Sequence, residues 1–239
     1  MELPRYEGPQ GAFFIIGGNI GAGKSTCSKA LADTWGFTPF YEAVEDNPFM
    51  EGFYRDFQGA MNILLRDGGE GEDLRVSPSD NATLLQTAFM LNRGFAHQTA
   101  SSSPENCVQD RSLFEDRYVF AEVLTDLGII SGGDFSKYKR LFDFAQRDLK
   151  KPDLFVALEA GRELLTERIT KRGREMERFL LDPQVGYLDR LSVKYEELYS
   201  MLETRGWNVL RISMDGIDLE SRVEDRVKFF DMINDSLRK

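Results

Sequence analysis

The residues with the clearest chemistry are Gly18-Asn19-Ile20-Gly21-Ala22-Gly23-Lys24-Ser25-Thr26. Their spacing is G-x-x-x-x-G-K-S, which suits a loop that cradles phosphate. Glycines let consecutive backbone N–H groups converge on one anion with no Cβ in the way. Lys24 offers a mobile charge for the outer phosphates, and the Ser25 hydroxyl suits Mg²⁺. The apolar run Phe13-Phe14-Ile15-Ile16 precedes the loop, and Cys27, Ala30 and Leu31 mark one side of a helix after it. Strand, loop and helix in that order set the pattern apart from a chance glycine turn. The helix adds the positive end of its dipole to the anion site. The spacing predicts a chain that binds a nucleoside triphosphate.

Other candidates stand where strands are expected to end. Glu42 closes the apolar stretch Phe37 to Tyr41. A carboxylate there could take the proton of an acceptor hydroxyl, or be a plain capping or solvated acid. Asp110-Arg111-Ser112 follows a third apolar run. Its acid could hold Mg²⁺ directly or through water, and Arg111 offers a planar fork for a phosphoryl oxygen or a hydroxyl. Ser112 and Glu115 have the spacing of a capping box. Asp116 and Arg117, alone, could be a surface ion pair.

Gln86 and Arg93 are two helical turns apart and share a face, with Phe89 and Met90 between them. Amide, ring and guanidinium in line make a slot for a nucleobase; the bland alternative is a solvated face. Arg168, Arg172, Arg174 and Arg178 crowd around Gly173. The i,i+4 pair Arg168/Arg172 repels unless an anion lies between. That favours a phosphate-closing lid over a basic surface patch.

These residues need elements to position them. The pattern predicts strands at about 12–17, 37–41, 106–110, 154–158 and 207–212. Helices are expected at about 24–35, 49–66, 80–103, 112–127, 134–149, 161–172, 183–205 and 219–236, with Gly128 and Gly132-Gly133 breaking the helical pattern. The glycine/acid stretch 67–73 reads as a mobile loop. Five apolar strands separated by helices imply an α/β fold, a parallel sheet covered on both faces. Ligands then sit beyond the carboxyl ends of the strands. No repeat or linker is visible, so one domain over residues 1–239 is expected.

The bulk numbers narrow the partners. The 239 residues carry a net charge of −10, with 41% hydrophobic and 29% charged residues. That balance suits a globular domain and argues against a nucleic-acid polymer, which needs a cationic surface. Cys27 and Cys107 form no C-x-x-C pair and read as core in a reducing compartment. The single histidine, His97, is expected to be structural or solvent-exposed. No apolar run reaches membrane-spanning length and no signal peptide is visible, so the cytoplasm is expected.

Over about 12–215, these ordered motifs resemble the deoxyribonucleoside kinase family, whose fold is that of P-loop nucleoside kinases. The glycine loop matches as it stands. Tyr41-Glu42-Ala43-Val44-Glu45-Asp46-Asn47-Pro48 is similar to the family's Glu-Pro-Val-Glu-Asp-Asn-Pro, with Ala43 in place of proline. Asp110-Arg111-Ser112 resembles its Glu/Asp-Arg-Ser motif, with the shorter acid where many members have glutamate. The resemblance implies that Glu42 is the general base, that Asp110 and Ser25 hold Mg²⁺, and that Arg111 contacts the 5′-hydroxyl. It implies that Gln86, Arg93 and Asp116 read the base beside Phe89, and that Tyr54 and Glu177 meet the 3′-hydroxyl. Arg168, Arg172 and Arg174 fall on the lid, and Gly216-Ile217-Asp218 where the family holds the adenine of ATP. Residues of about 57–80 stand as an insertion relative to the family pattern.

The implied reaction is ATP-dependent phosphorylation of a deoxyribonucleoside by a cytoplasmic homodimer. Phe89-Met90-Leu91-Asn92-Arg93 resembles the bacterial deoxyadenosine/deoxyguanosine branch, so deoxyadenosine is expected first, then deoxyguanosine or deoxycytidine. One rival is a non-catalytic relative kept for structure; intact Lys24, Ser25, Glu42 and Arg111 speak against it. Another is a nucleotide switch, for which no NKxD motif and no glutamine after a D-x-x-G is visible.

Overall fold

The computed structural model describes residues 2–41, 47–66 and 76–238, with backbone alone at 64–66, 175, 176 and 178. Strand and helix alternate. The first half runs β1 (Phe13–Gly18), α1 (Lys24–Trp35), β2 (Thr38–Phe40), α2 (Met50–Arg66), α3 (Asp80–Ala100) and β3 (Cys107–Asp110). Then come α4 (Leu113–Glu115), a π-helical turn (Asp116–Phe120), α5 (Ala121–Asp126) and α6 (Gly132–Ala145). The rest is β4 (Leu154–Glu159), α7 (Arg162–Arg172), a 3₁₀ segment (Glu175–Leu181), α8 (Tyr187–Thr204), β5 (Val209–Ser213) and α9 (Val223–Leu237).

The strands pair in parallel in the order β2-β3-β1-β4-β5. β1 therefore lies between β3 and β4, with Ile16 opposite both Asp110 and Val156. Alternation along each strand feeds two cores. Phe13, Ile15, Cys107, Phe155 and Ala157 pack with residues of α3 and α8, while Phe14, Ile16, Val108, Leu154 and Val156 pack with residues of α1 and α9. Burying each large side chain contributes about 1.5–3 kcal/mol. This is why the strands read as continuous apolar runs rather than alternating ones.

Several elements differ from expectation. Gly132-Gly133 does not break a helix but opens α6, because the Ser131 hydroxyl accepts the Asp134 N–H at 3.0 Å and caps it. The helix after Ser112 is not continuous; the π turn adds a residue to one turn. The expected helix 183–205 begins at Tyr187, behind Gly186 in a left-handed conformation at φ 59°. The last helix begins at Val223 rather than 219, because the Asp218 carboxylate holds the Glu220 and Ser221 N–H groups in a turn.

Of the stretch 57–80, residues up to 66 continue α2, and Phe57, Ala60, Met61 and Val76 are buried in one core. That part is packed structure; the expected mobile loop 67–73 lies outside the described residues. His97 is fully buried, not solvent-exposed, edge-on to Phe13. Among the described residues no helix is long and apolar enough to cross a membrane.

Candidate active site

The phosphate loop runs from the end of β1 to the start of α1. A Cβ on Gly18 would stand 2.8 Å from the Leu158 carbonyl, so only glycine lets the loop leave β1 against β4. Gly23 takes φ 101° immediately before α1, a conformation that glycine adopts without steric cost. Lys24 Nζ donates to the Gly18 and Asn19 carbonyls at 3.0 and 2.9 Å. Asn19 pins the loop to α8: its Nδ2 donates to the Leu188 carbonyl at 3.0 Å and the Ser192 hydroxyl at 2.9 Å, and its Oδ1 accepts the Ile20 N–H.

Arg168 braces the same loop. Its Nη1 donates to the Ala22 carbonyl at 2.9 Å and its Nη2 to the Ile217 carbonyl at 3.2 Å. This ties the loop to the 216–218 turn. Asp218 is turned to its own segment, accepting from Ser221, and Thr26 reaches Glu220 at 3.5 Å.

β3 delivers Asp110 and Arg111 beside the loop. Asp110 Oδ2 accepts the Ser25 hydroxyl at 2.5 Å, while its buried Oδ1 has no hydrogen-bond partner. An orphaned carboxylate oxygen next to a hydroxyl fits a small hard cation that keeps most of its ligands as water and phosphate. Among the described residues no group of three or more His, Cys, Asp or Glu stands together as a denser cage. Arg111 takes φ 71°, left-handed for a non-glycine residue. Its N–H donates to the Ile16 carbonyl at 2.9 Å, its Nη1 to the Tyr195 hydroxyl at 2.5 Å, and its guanidinium lies 4.6 Å from the Phe120 ring centre.

A cleft of about 400 Å³ runs from Gly21, Lys24 and Ser25 past Asp110 and Arg111 to Gln86, Phe89, Arg93 and Asp116. In this cleft Arg93 and Asp116 form a buried ion pair, with the Arg93 guanidinium 4.6 Å from the Phe89 ring centre. Gln86 is buried and its Oε1 has no hydrogen-bond partner. Met90 shares this helical face but does not line the cleft; it is fully buried in the core.

Tyr54 and Glu177 line one wall. Glu177 accepts from Arg172, whose Nε lies at 3.0 Å, and from Arg174 at 3.5 Å. Two of the arginines of the cluster are thus paired inside the cleft. Arg178's side chain lies outside the described residues, and so does Glu42; Tyr41 lines the cleft.

Other wall residues were silent in the sequence. Met50, Phe53, Leu85, Leu180 and Tyr187 line the cleft, but apolar side chains look alike whether they face a core or a ligand. The Tyr187 hydroxyl is held protonated well above its ordinary range by burial. Cys27, behind the loop, is pushed up to about 12 by burial and behaves as an inert core thiol.

An anion loop, a carboxylate and arginine beside it, and a slot holding a buried ion pair are parts that phosphoryl transfer to a nucleoside could use. Comparison with known proteins agrees. The family model described as "Deoxynucleoside kinase" matches residues 14–64 and 74–238. The deoxyadenosine/deoxycytidine kinase of Bacillus subtilis is 31% identical over 229 residues, covering 95% of this chain and 88% of that one. The deoxyguanosine kinase of Lactobacillus acidophilus is 31% identical over 231 residues, 94% of this chain and 90% of that one. A solved deoxyadenosine kinase from M. mycoides with bound dATP superposes with a TM-score of 0.69 at 25% identity, over 95% of this chain and all of that one. Site geometry, motif order and end-to-end similarity lead to one conclusion: the chain belongs to the deoxynucleoside kinase family.

Proposed function

We propose that the chain, acting as one kinase domain, transfers the terminal phosphoryl of ATP to the 5′-hydroxyl of a purine deoxynucleoside, deoxyadenosine first, then deoxyguanosine or deoxycytidine. The observation that carries this is the single cleft joining the phosphate loop to the Arg93–Asp116 pair. A guanidinium, a carboxylate and the Gln86 amide can donate to and accept from a base edge, with Phe89 as an apolar wall. The names of the relatives, which act on deoxyadenosine, deoxycytidine and deoxyguanosine, support the substrate class.

In this reading the loop amides of 18–26 and Lys24 grip the donor phosphates. Glu42 takes the proton of the 5′-hydroxyl, and Arg111 orients that hydroxyl and offsets charge on the moving group. Ser25 and Asp110 would hold Mg²⁺, which, when bound, neutralises phosphate charge. Arg172 and Arg174 exchange Glu177 for phosphate as nucleotide enters, and Glu177 and Tyr54 meet the 3′-hydroxyl. Arg168 and the 216–218 turn frame the adenine of ATP. Catalysis is then positioning and electrostatics, with no covalent intermediate.

The protein acts in the cytoplasm as a homodimer. Leu84, Leu91 and Phe95 lie exposed at i, i+7 and i+11 on α3, a stripe suited to a second copy. A coupled assay of ATP consumption with a panel of deoxynucleosides tests the reaction. Turnover fastest with deoxyadenosine is expected; no turnover with any acceptor would end the proposal. Light scattering of the native protein and a Phe95→Glu variant tests the dimer.

A further inference from the structure

The mechanism leaves one buried carboxylate in this region without a role. Glu115 is fully buried, and its two oxygens do different things. Oε2 closes the capping box of α4, accepting the Ser112 N–H at 2.7 Å and the Ser112 hydroxyl at 3.1 Å. Oε1 accepts the Gly18 N–H at 3.2 Å and the Tyr195 hydroxyl at 2.9 Å, and lies 3.5 Å from Nη1 of Arg111. The Tyr195 hydroxyl in turn accepts from that same arginine nitrogen at 2.5 Å.

A capping box accepts glutamine as well as glutamate. The cap therefore does not account for a negative charge placed where no water reaches, which is costly unless it is paired. The charge is matched by what Oε1 touches: a guanidinium, a phenol and the first amide of the phosphate loop. Gly18 is held from both sides, its N–H by Glu115 and its carbonyl by Lys24 at 3.0 Å. One carboxylate atom thus ties the root of the donor loop on β1 to the arginine at the end of β3.

We infer that Glu115, assisted by Tyr195, is a positioning residue for phosphoryl transfer, holding the Arg111 guanidinium in register with the phosphate loop. The inference rests on the role proposed for Arg111. Positioned charge of this kind acts on the transition state more than on ground-state binding. Its loss therefore lowers kcat and leaves KM for the nucleoside nearly alone.

The test uses the full chain carrying Glu115→Gln, Tyr195→Phe, Arg111→Lys and the Glu115→Gln/Arg111→Lys pair. It measures kcat and KM for deoxyadenosine and ATP, together with Tm. Glu115→Gln keeps an acceptor for the cap but turns an NH₂ group toward the donors that Oε1 served. It should lower kcat by roughly 10- to 100-fold with less than about a threefold change in nucleoside KM. Tyr195→Phe removes one hydroxyl and should lower kcat by about 3- to 10-fold. The double variant should fall no further than Arg111→Lys alone, because the two act as one unit.

Native kcat in Glu115→Gln while Arg111→Lys is impaired overturns the inference and leaves the role of Arg111 standing. Native kcat in Arg111→Lys overturns that role and the inference with it. Additive losses in the double variant overturn the inference, since Glu115 would then act by another route. Should Glu115→Gln fail to fold, Tyr195→Phe decides alone: unchanged kcat overturns the inference.

Discussion

Arg93 on α3 and Asp116 on the π turn meet as an ion pair with almost no solvent exposure, and both line the cleft that the phosphate loop also lines. The π turn widens the helix by one residue at the point where Asp116 has to face α3. A regular helix from Ser112 would carry the following residues at a different angle. Removing one member of such a pair leaves the other charged and buried. Asp116→Ala should therefore cost about 3–5 kcal/mol of folding stability, read by urea unfolding. It should also raise nucleoside KM while KM for ATP stays within about twofold, because only the base end has changed.

Glu42→Gln keeps the size of the side chain and removes its capacity to take a proton. Turnover should fall by roughly 10²- to 10⁴-fold, the usual worth of a positioned general base. Deoxyadenosine affinity, measured by calorimetry, should stay within about threefold. Native turnover in this variant would remove Glu42 from the base role.

Asp110 presents an unpartnered oxygen beside Ser25. Asp110→Asn should raise the Mg²⁺ concentration needed for half-maximal activity by about tenfold or more, since a charged oxygen ligand is lost. The measurement is a Mg²⁺ titration at fixed ATP, after chelation of the metal has abolished activity. An unchanged titration curve would place the cation elsewhere.

His97 donates from Nε2 to the Lys150 carbonyl at 2.7 Å, and its buried Nδ1 has no hydrogen-bond partner. Burial holds its pKa below the ordinary 6.5. The unfolded chain then binds a proton that the folded one refuses. Stability is full above about pH 6.5 and falls with decreasing pH at up to about 1.4 kcal/mol per unit, until the depressed folded pKa is passed. Unfolding by urea at pH 7.5, 6.5 and 5.5 should show this slope, and a His97→Gln variant should have less of it.

The phosphate loop was fully legible in the sequence because all its parts are contiguous: strand, glycines, lysine and helix. Gln86, Phe89 and Arg93 were legible because helical spacing fixes a shared face. What distance along the chain separates was not legible. Arg111 and Tyr195 bond across 84 positions, and nothing in a tyrosine of an amphipathic helix says which cation it will meet. Glu115 was visible as a cap, yet its second oxygen acquires a partner only when β1 and β3 lie side by side. The arginine cluster was legible as charge but not as pairing: Arg168 braces the loop and Arg172 holds Glu177. Gly132-Gly133 misled because a serine cap outweighs glycine's weak helix propensity at a first turn.

The strand order has an evolutionary consequence. Under the function proposed above, with β1 at the centre, the nucleobase end would be built largely from α2, α3 and the β2–β3 side, and the ATP end from β1, α7 and the turn after β5. Substitutions that retune which base is accepted can therefore accumulate on one flank while the machinery for handling ATP on the other is inherited intact. A lineage of such enzymes can exchange one deoxynucleoside for another without rebuilding its engine.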